Sequence, residues 1–138
     1  MEKAPVDVET ILAAFQTLQC RVEHVIVEGT GGWLVPIRPD YFVSDLAAAM
    51  KLPVLVVAQN RLGCLNHVAL TVRSVAAYQL RCVGLVLNST EITSDVAALT
   101  NADILKRILN VPLLAGLGEN LTELPVDWRL MLDSTWEH

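Results

Sequence analysis

Three short stretches of this chain carry residue types that can do chemistry. In the first, an apolar run at residues 24–27 ends in Glu28, and Gly29-Thr30-Gly31-Gly32 follows. Glycine lets backbone approach a phosphate closely. Mg²⁺ beside phosphates is held by few protein carboxylates, with water completing its shell. The same residues also read as a solvated strand end and a tight turn. The second stretch, residues 59–67 (QNRLGCLNH), lies between an apolar run and a helical pattern. Backbone N–H groups around Gly63 to Asn66, at a helix start, form an anion site that suits a carboxylate. The alternative is an ordinary strand-to-helix turn with Gly63 at positive φ. Cys64 at that start has some scope for thiolate character, but reads better as a small packing residue, and His67 as a structural hydrogen-bonding residue. In the third stretch, Asn88 closes CVGLVLN. Its amide offers an acceptor and two donors, which matches an adenine edge as well as it caps a strand.

The elements that must position these residues follow from the apolar pattern. Asp7 caps a helix over residues 8–22, with Val8, Ile11, Leu12, Phe15 and Leu18 at helical spacing. Residues 24–27, 53–58, 82–87 and 111–115 read as strands. Helical patterns cover 45–51 (capped by Ser44), 65–79, and a stretch opened by Ser94 or Asp95 that runs to Leu109. The strands lack polar alternation, so each is expected to be covered on both faces. Helical connections imply parallel pairing with right-handed crossovers. Ligands in such sheets bind beyond the carboxyl ends of the strands, where Glu28, Gln59-Asn60, Asn88 and Gly116 lie. A short helix is expected over 127–133 and a frayed end over 134–138.

Composition sets the bounds. The 138 residues are 53% hydrophobic but only 5% aromatic, which suits strands buried between helices. A chain of this length fits one domain. With 10 Lys+Arg against 15 Asp+Glu the net charge is −5, and no basic run occurs, so a nucleic-acid partner is not expected. The apolar runs are too short for a membrane span. No secretory signal is read at the start. Cys20, Cys64 and Cys82 are odd in number and form no CxxC, which points to reduced thiols in the cytoplasm rather than a disulfide frame or zinc site.

Taken in order, VEGTGGWLVP, DLAAAMKLPVLVV, NRLGCLNHVALT, VGLVLN and VPLLAGL resemble dethiobiotin synthase over residues 25–117. The resemblance implies an α/β, three-layer parallel sheet of the P-loop NTPase type, with the whole chain one partial domain of that family. It implies Glu28 as a Mg²⁺ ligand. Glu28, Gly29, Thr30 and Gly31 would line the ATP phosphate and substrate region. Asn88 and Ser89 would recognise adenine, with Gly118, Glu119 and Asn120 in the adenine loop. Leu62, Gly63, Cys64, Leu65 and Asn66 would hold the carboxylate tail of the substrate, which in the family crosses a two-fold interface, so a homodimer is implied. The implied reaction is ATP-dependent closure of the ureido ring of dethiobiotin from 7,8-diaminopelargonic acid and CO₂.

Departures from the family pattern bear on this expectation. Thr30 stands where the family has Ala in VEGAGG, and the adenine loop lacks its final proline. No GxxxxGK[ST] run occurs in the sequence, and neither Lys3 nor Lys51 matches the catalytic lysine of the family. The chain therefore reads as N-terminally truncated, with no catalytic residue of its own, and inactive as a ligase unless a P-loop-bearing segment completes it. The alternatives are a non-catalytic dimerisation or binding module of the same ancestry, and a related P-loop amidoligase. NRLGCLNH favours dethiobiotin synthase over the latter. The strand ending at Glu28 is expected to present an apolar edge that invites self-association.

Overall fold

The computed structural model describes residues 6–89 and 96–117. They fall into two compact units, residues 6–52 with 78–80 and residues 53–77 with 81–89 and 96–117.

In the first unit, α1 (Val8–Gln19) begins where Asp7 accepts the backbone N–H groups of Glu9 (3.1 Å) and Thr10 (3.2 Å). Its buried residues are Val8 and Phe15. The helix stops at Gln19 rather than at Val22, because the Arg21 N–H takes the carbonyl three residues back, Leu18 O, at 2.9 Å. Such tightening is a common way to end a helix. The strand expected at residues 24–27 does not form. A strand is held by its ladder, and no described strand pairs with this segment. Ile26 is 96% exposed.

An antiparallel pair that the sequence reading missed follows: β1 (Pro36–Arg38) against β2 (Tyr41–Phe42). The strands are very short, so no alternation could mark them. The Arg38 guanidinium lies 5.1 Å from the Tyr41 ring centre. α2 (Val43–Met50) starts before Ser44, which is therefore inside the helix and is not its cap. The Asp45 carboxylate instead accepts the Phe42 N–H at 2.7 Å. Lys51, at φ 54, ends the helix in the left-handed region.

The second unit is a parallel sheet with strand order β3-β4-β5: β3 (Val54–Gln59), β4 (Cys82–Asn88) and β5 (Leu113–Leu117). α3 (Cys64–Ala77) and α4 (Val96–Ile108) connect them. Each element lies within a few residues of its expected span. Both helices pack on one face of the sheet, around Val56, Cys64, Val68, Leu85, Leu87 and Leu105. Burying side chains of this kind stabilises by about 1.5–3 kcal/mol each.

β4 is buried from Val83 to Leu87, as its unbroken apolar run demands. β3 is not: it pairs only with β4, and Val57 on the face away from α3 is 61% exposed. The expectation of cover on both faces is thus corrected for β3, which is a sheet edge among the described strands. The α/β class with a parallel sheet is as expected, and this unit by itself shows the sheet and one helical layer. On the face away from the helices, Leu114 and Leu55 close over Gly84. A methyl there would lie 2.7 Å from Leu114 Cγ and 3.3 Å from Leu55 Cδ1.

Candidate functional site

The carboxyl ends of the three parallel strands form one edge, tied by hydrogen bonds. The Asn60 N–H donates to Asn88 O at 2.8 Å, and the Ser89 N–H donates to Leu117 O at 2.8 Å. These bonds carry the sheet pairing one residue past β3 and β4, so Asn60, Asn88, Ser89 and Leu117 share one rim. Asn88 and Ser89 are half-buried.

Side chains reinforce the rim. Asn60 Nδ2 donates to Ala98 O (2.9 Å) and to Ser89 Oγ (3.3 Å). Asn101 Nδ2 donates to Asn60 Oδ1 (2.9 Å) and to Arg61 O (3.1 Å). Asn101, only 2% exposed, is a residue that sequence reasoning missed. Its signal was a polar residue one helical turn before Leu105, on the apolar face of α4.

The expected anion-binding turn lies on the same unit. Gly63 adopts φ +87, as the turn reading anticipated. The Cys64 N–H is already committed to Arg61 O at 3.1 Å, and the N–H groups of Leu65 and Asn66, in the first turn of α3, have no acceptor within the helix. Leu62, Gly63 and Asn66 are exposed, Leu65 is half-buried, and Cys64 is 3% exposed in the core cluster. Burial pushes the Cys64 thiol up. The packing role is therefore the correct one for Cys64, and any contact with a ligand falls to its backbone. His67 is exposed, and its N–H donates to Gly63 O at 3.2 Å.

The glycine loop belongs to the first unit. Gly31 sits at φ +77, and a Cβ there would lie 3.0 Å from Val35 Cγ2. Glycine is required on both counts. A Cβ on Gly29 would lie 3.2 Å from Val43 Cγ1. The Gly32 N–H donates to Thr30 O at 3.1 Å. The Thr30 side chain is exposed, so the extra β-carbon branch is accommodated outward. Glu28 is exposed beside this loop. Among the described residues no group of three or more His, Cys, Asp or Glu is placed to hold a metal. Gly118, Glu119 and Asn120 of the expected adenine loop, and the helix expected at 127–133, lie outside the described residues. No helix among the described residues is long and apolar enough to cross a membrane.

Parallel strands joined by helices place the chain in the α/β class, in which ligands bind beyond the carboxyl ends of the strands. A family model described as an AAA domain matches residues 1–122, and the chain belongs to that family. It is 39% identical over 128 residues to the ATP-dependent dethiobiotin synthetase BioD of Akkermansia muciniphila, covering 91% of this chain and 60% of that protein. It is 38% identical over 135 residues to the enzyme of that name from Thermodesulfovibrio yellowstonii, covering 92% and 56%. The Bacillus subtilis protein of that name is 35% identical over 114 residues, covering 83% and 49%. The resemblance to dethiobiotin synthase, a ligase family, is thereby borne out. The chain spans about half to three-fifths of the length of the curated relatives it matches.

Proposed function

We propose that this chain supplies the adenine-recognition edge, the substrate-tail turn and one metal ligand of an ATP-dependent dethiobiotin synthase. The observation that carries the reading is the shared rim of Asn60, Asn88, Ser89 and Leu117 at the carboxyl ends of three parallel strands, in a chain with dethiobiotin synthetase relatives. Asn88 and Ser89 would meet the base, and Gly118 to Asn120 would extend that contact. The N–H groups at the start of α3 would hold the carboxylate of 7,8-diaminopelargonic acid. A second copy of the chain would bring that turn across a two-fold axis, making the working form a homodimer.

The glycine loop is proposed to take the phosphates, because glycine lets backbone approach them closely; the positive φ of Gly31 is compatible with such a turn. The exposed Glu28 carboxylate fits Mg²⁺ of the kind held by one protein ligand, phosphate oxygens and water. Bound there, the ion would neutralise charge on the transferring phosphoryl group.

In the proposed reaction one substrate amine takes up CO₂ as a carbamate. The carbamate oxygen attacks the γ-phosphorus of ATP, and ADP leaves. The second amine then attacks the carbamoyl carbon of the mixed anhydride, closing the ureido ring and releasing phosphate. The chemistry needs positioning and charge neutralisation and no covalent enzyme intermediate. Within its second unit the chain's own part is to hold the base and the carboxylate tail; the glycine loop of the first unit would meet the phosphates. No GxxxxGK[ST] run lies in the 138 residues, so a P-loop-bearing segment is proposed as a further partner.

The test is calorimetric titration of the purified chain with Mg-ATP, alone and with a P-loop segment taken from a dethiobiotin synthetase relative, followed by a ligase assay. The expected result is negligible turnover alone, with nucleotide binding and turnover gained in the mixture. Glu28→Gln should then lower turnover by ~10²-fold or more. Turnover by the chain alone would overturn the proposed division of labour. A stable dimer without nucleotide affinity in either case would establish instead the second reading, a non-catalytic module.

A further inference from the structure

Two buried or half-buried asparagines lie behind the proposed ligand contacts without belonging to them. Asn60 Nδ2 has two protons, and both are used, on Ala98 O and Ser89 Oγ. Asn101 Nδ2 also has two, used on Asn60 Oδ1 and Arg61 O. Backbone carbonyls only accept. Ala98 O therefore fixes which end of the Asn60 amide faces it, and Arg61 O does the same for Asn101. The two amides can be chained in only one sense. Because Ser89 Oγ accepts from Asn60, its own proton is free to be donated elsewhere.

We propose that Asn60 and Asn101 are positioning residues that join the Asn88–Ser89 strand end and the turn after Arg61 into one unit. The inference rests on the reading above for what those two places bind. Asn101 anchors the turn through Arg61 O and reaches the strand end only through Asn60. Asn60 grips the strand end twice, by its backbone N–H on Asn88 O and by its side chain on Ser89 Oγ. Loss of the Asn101 amide should therefore loosen both places, whereas loss of the Asn60 donors alone should loosen only the strand end. The two places sit on different loops, and the α4 helix behind both supplies the common anchor at Ala98 and Asn101.

The test is amide hydrogen exchange on the full chain for two variants. Asn101→Leu is close in shape and introduces no charge, but leaves Asn60 Oδ1 and Arg61 O without their donor. Protection of the Asn60, Cys64 and Ser89 amides should fall together by about tenfold or more, the scale of one lost hydrogen bond. The Leu85 amide, held by Pro112 O in the sheet interior, should keep its protection. Should Asn101→Leu fail to fold, Asn60→Asp remains. It keeps the acceptor for Asn101 but sets a carboxylate oxygen against Ala98 O, which can only accept. The anchor of the strand end to α4 is thus lost even if the Ser89 hydroxyl turns to donate, and Ser89 should lose protection while Cys64 keeps it. Unchanged exchange at Ser89 in Asn60→Asp, or an equal fall at Leu85 and at the rim in either variant, would overturn the inference. Mg-ATP titration beside the P-loop segment separates the two claims. Absence of binding by the wild-type chain would defeat the functional reading and leave the exchange result standing. Equal ATP affinity for wild type and Asn60→Asp would overturn the positioning role.

Discussion

Individual residues in this chain show the cost of polar atoms in the wrong place. Ser44 is fully buried, and its hydroxyl has no hydrogen-bond partner. A buried, unsatisfied hydroxyl costs about 1–3 kcal/mol. Ser44→Ala is therefore expected to raise stability by ~1 kcal/mol, read as a higher urea midpoint at unchanged slope. The cysteines make the complementary case. Cys64 and Cys82 are held above the usual thiol range by burial, whereas Cys20 is exposed. At neutral pH iodoacetamide should modify Cys20 first, leaving the other two intact while the chain is folded. The sign for stability follows. A raised folded pKa means that the contribution of these thiols is whole below their unfolded value, about 8.5. It is lost as pH rises through the folded value. A urea midpoint that rises between pH 8 and 10 would contradict this. The sequence made Gly63 and Cys64 legible, because a glycine before an apolar helical pattern has few other roles. Asn101 was not legible, because its meaning depends on Asn60, forty-one residues away in sequence.

At the level of elements, the apolar runs identified β3, β4 and β5 to within a few residues, because a buried parallel strand has little choice of composition. Failures came where an element depends on a partner. Residues 24–27 have the composition of a strand, but composition supplies only the side chains; the ladder comes from a neighbour. α2 was displaced because Asp45, three residues into the segment, caps it through the Phe42 N–H, so the obvious Ser44 was the wrong signal. Gly84 shows an element constraint that composition hides. It is the one residue in the buried stretch of β4 without a side chain, and Leu114 and Leu55 occupy the space. Gly84→Ala should cost ~1–3 kcal/mol through overpacking, measured by thermal unfolding. A paired Leu114→Ala should recover part of the loss if the clash with Leu114 is its cause.

For the whole molecule, the apolar edge expected at the strand ending in Glu28 is found elsewhere. The described three-stranded sheet has two open edges, β3 and β5; of these, β3 carries Val57 61% exposed. Unpaired strand edges with apolar side chains promote association. Sedimentation should show concentration-dependent oligomers, and Val57→Lys should reduce them without loss of stability. A single monomeric species at high concentration would contradict this. The family and the sheet were visible in the sequence because five motifs in order constrain a fold far more than any one alone. The rim network was not, since it is made where the ends of β3 and β4 meet the helix α4.

The stretch around Ile26 has one more implication. Val25, Ile26 and Val27 offer aliphatic side chains on a backbone that no described ladder protects. An extended, accessible chain is the form in which a peptide enters a protease cleft. Elastase should accordingly nick the folded chain first at this point, releasing a fragment that contains α1. Slower nicking in the presence of the P-loop segment would show that the segment covers these residues. The same stretch would then serve as a built-in report of whether the chain has met its complement.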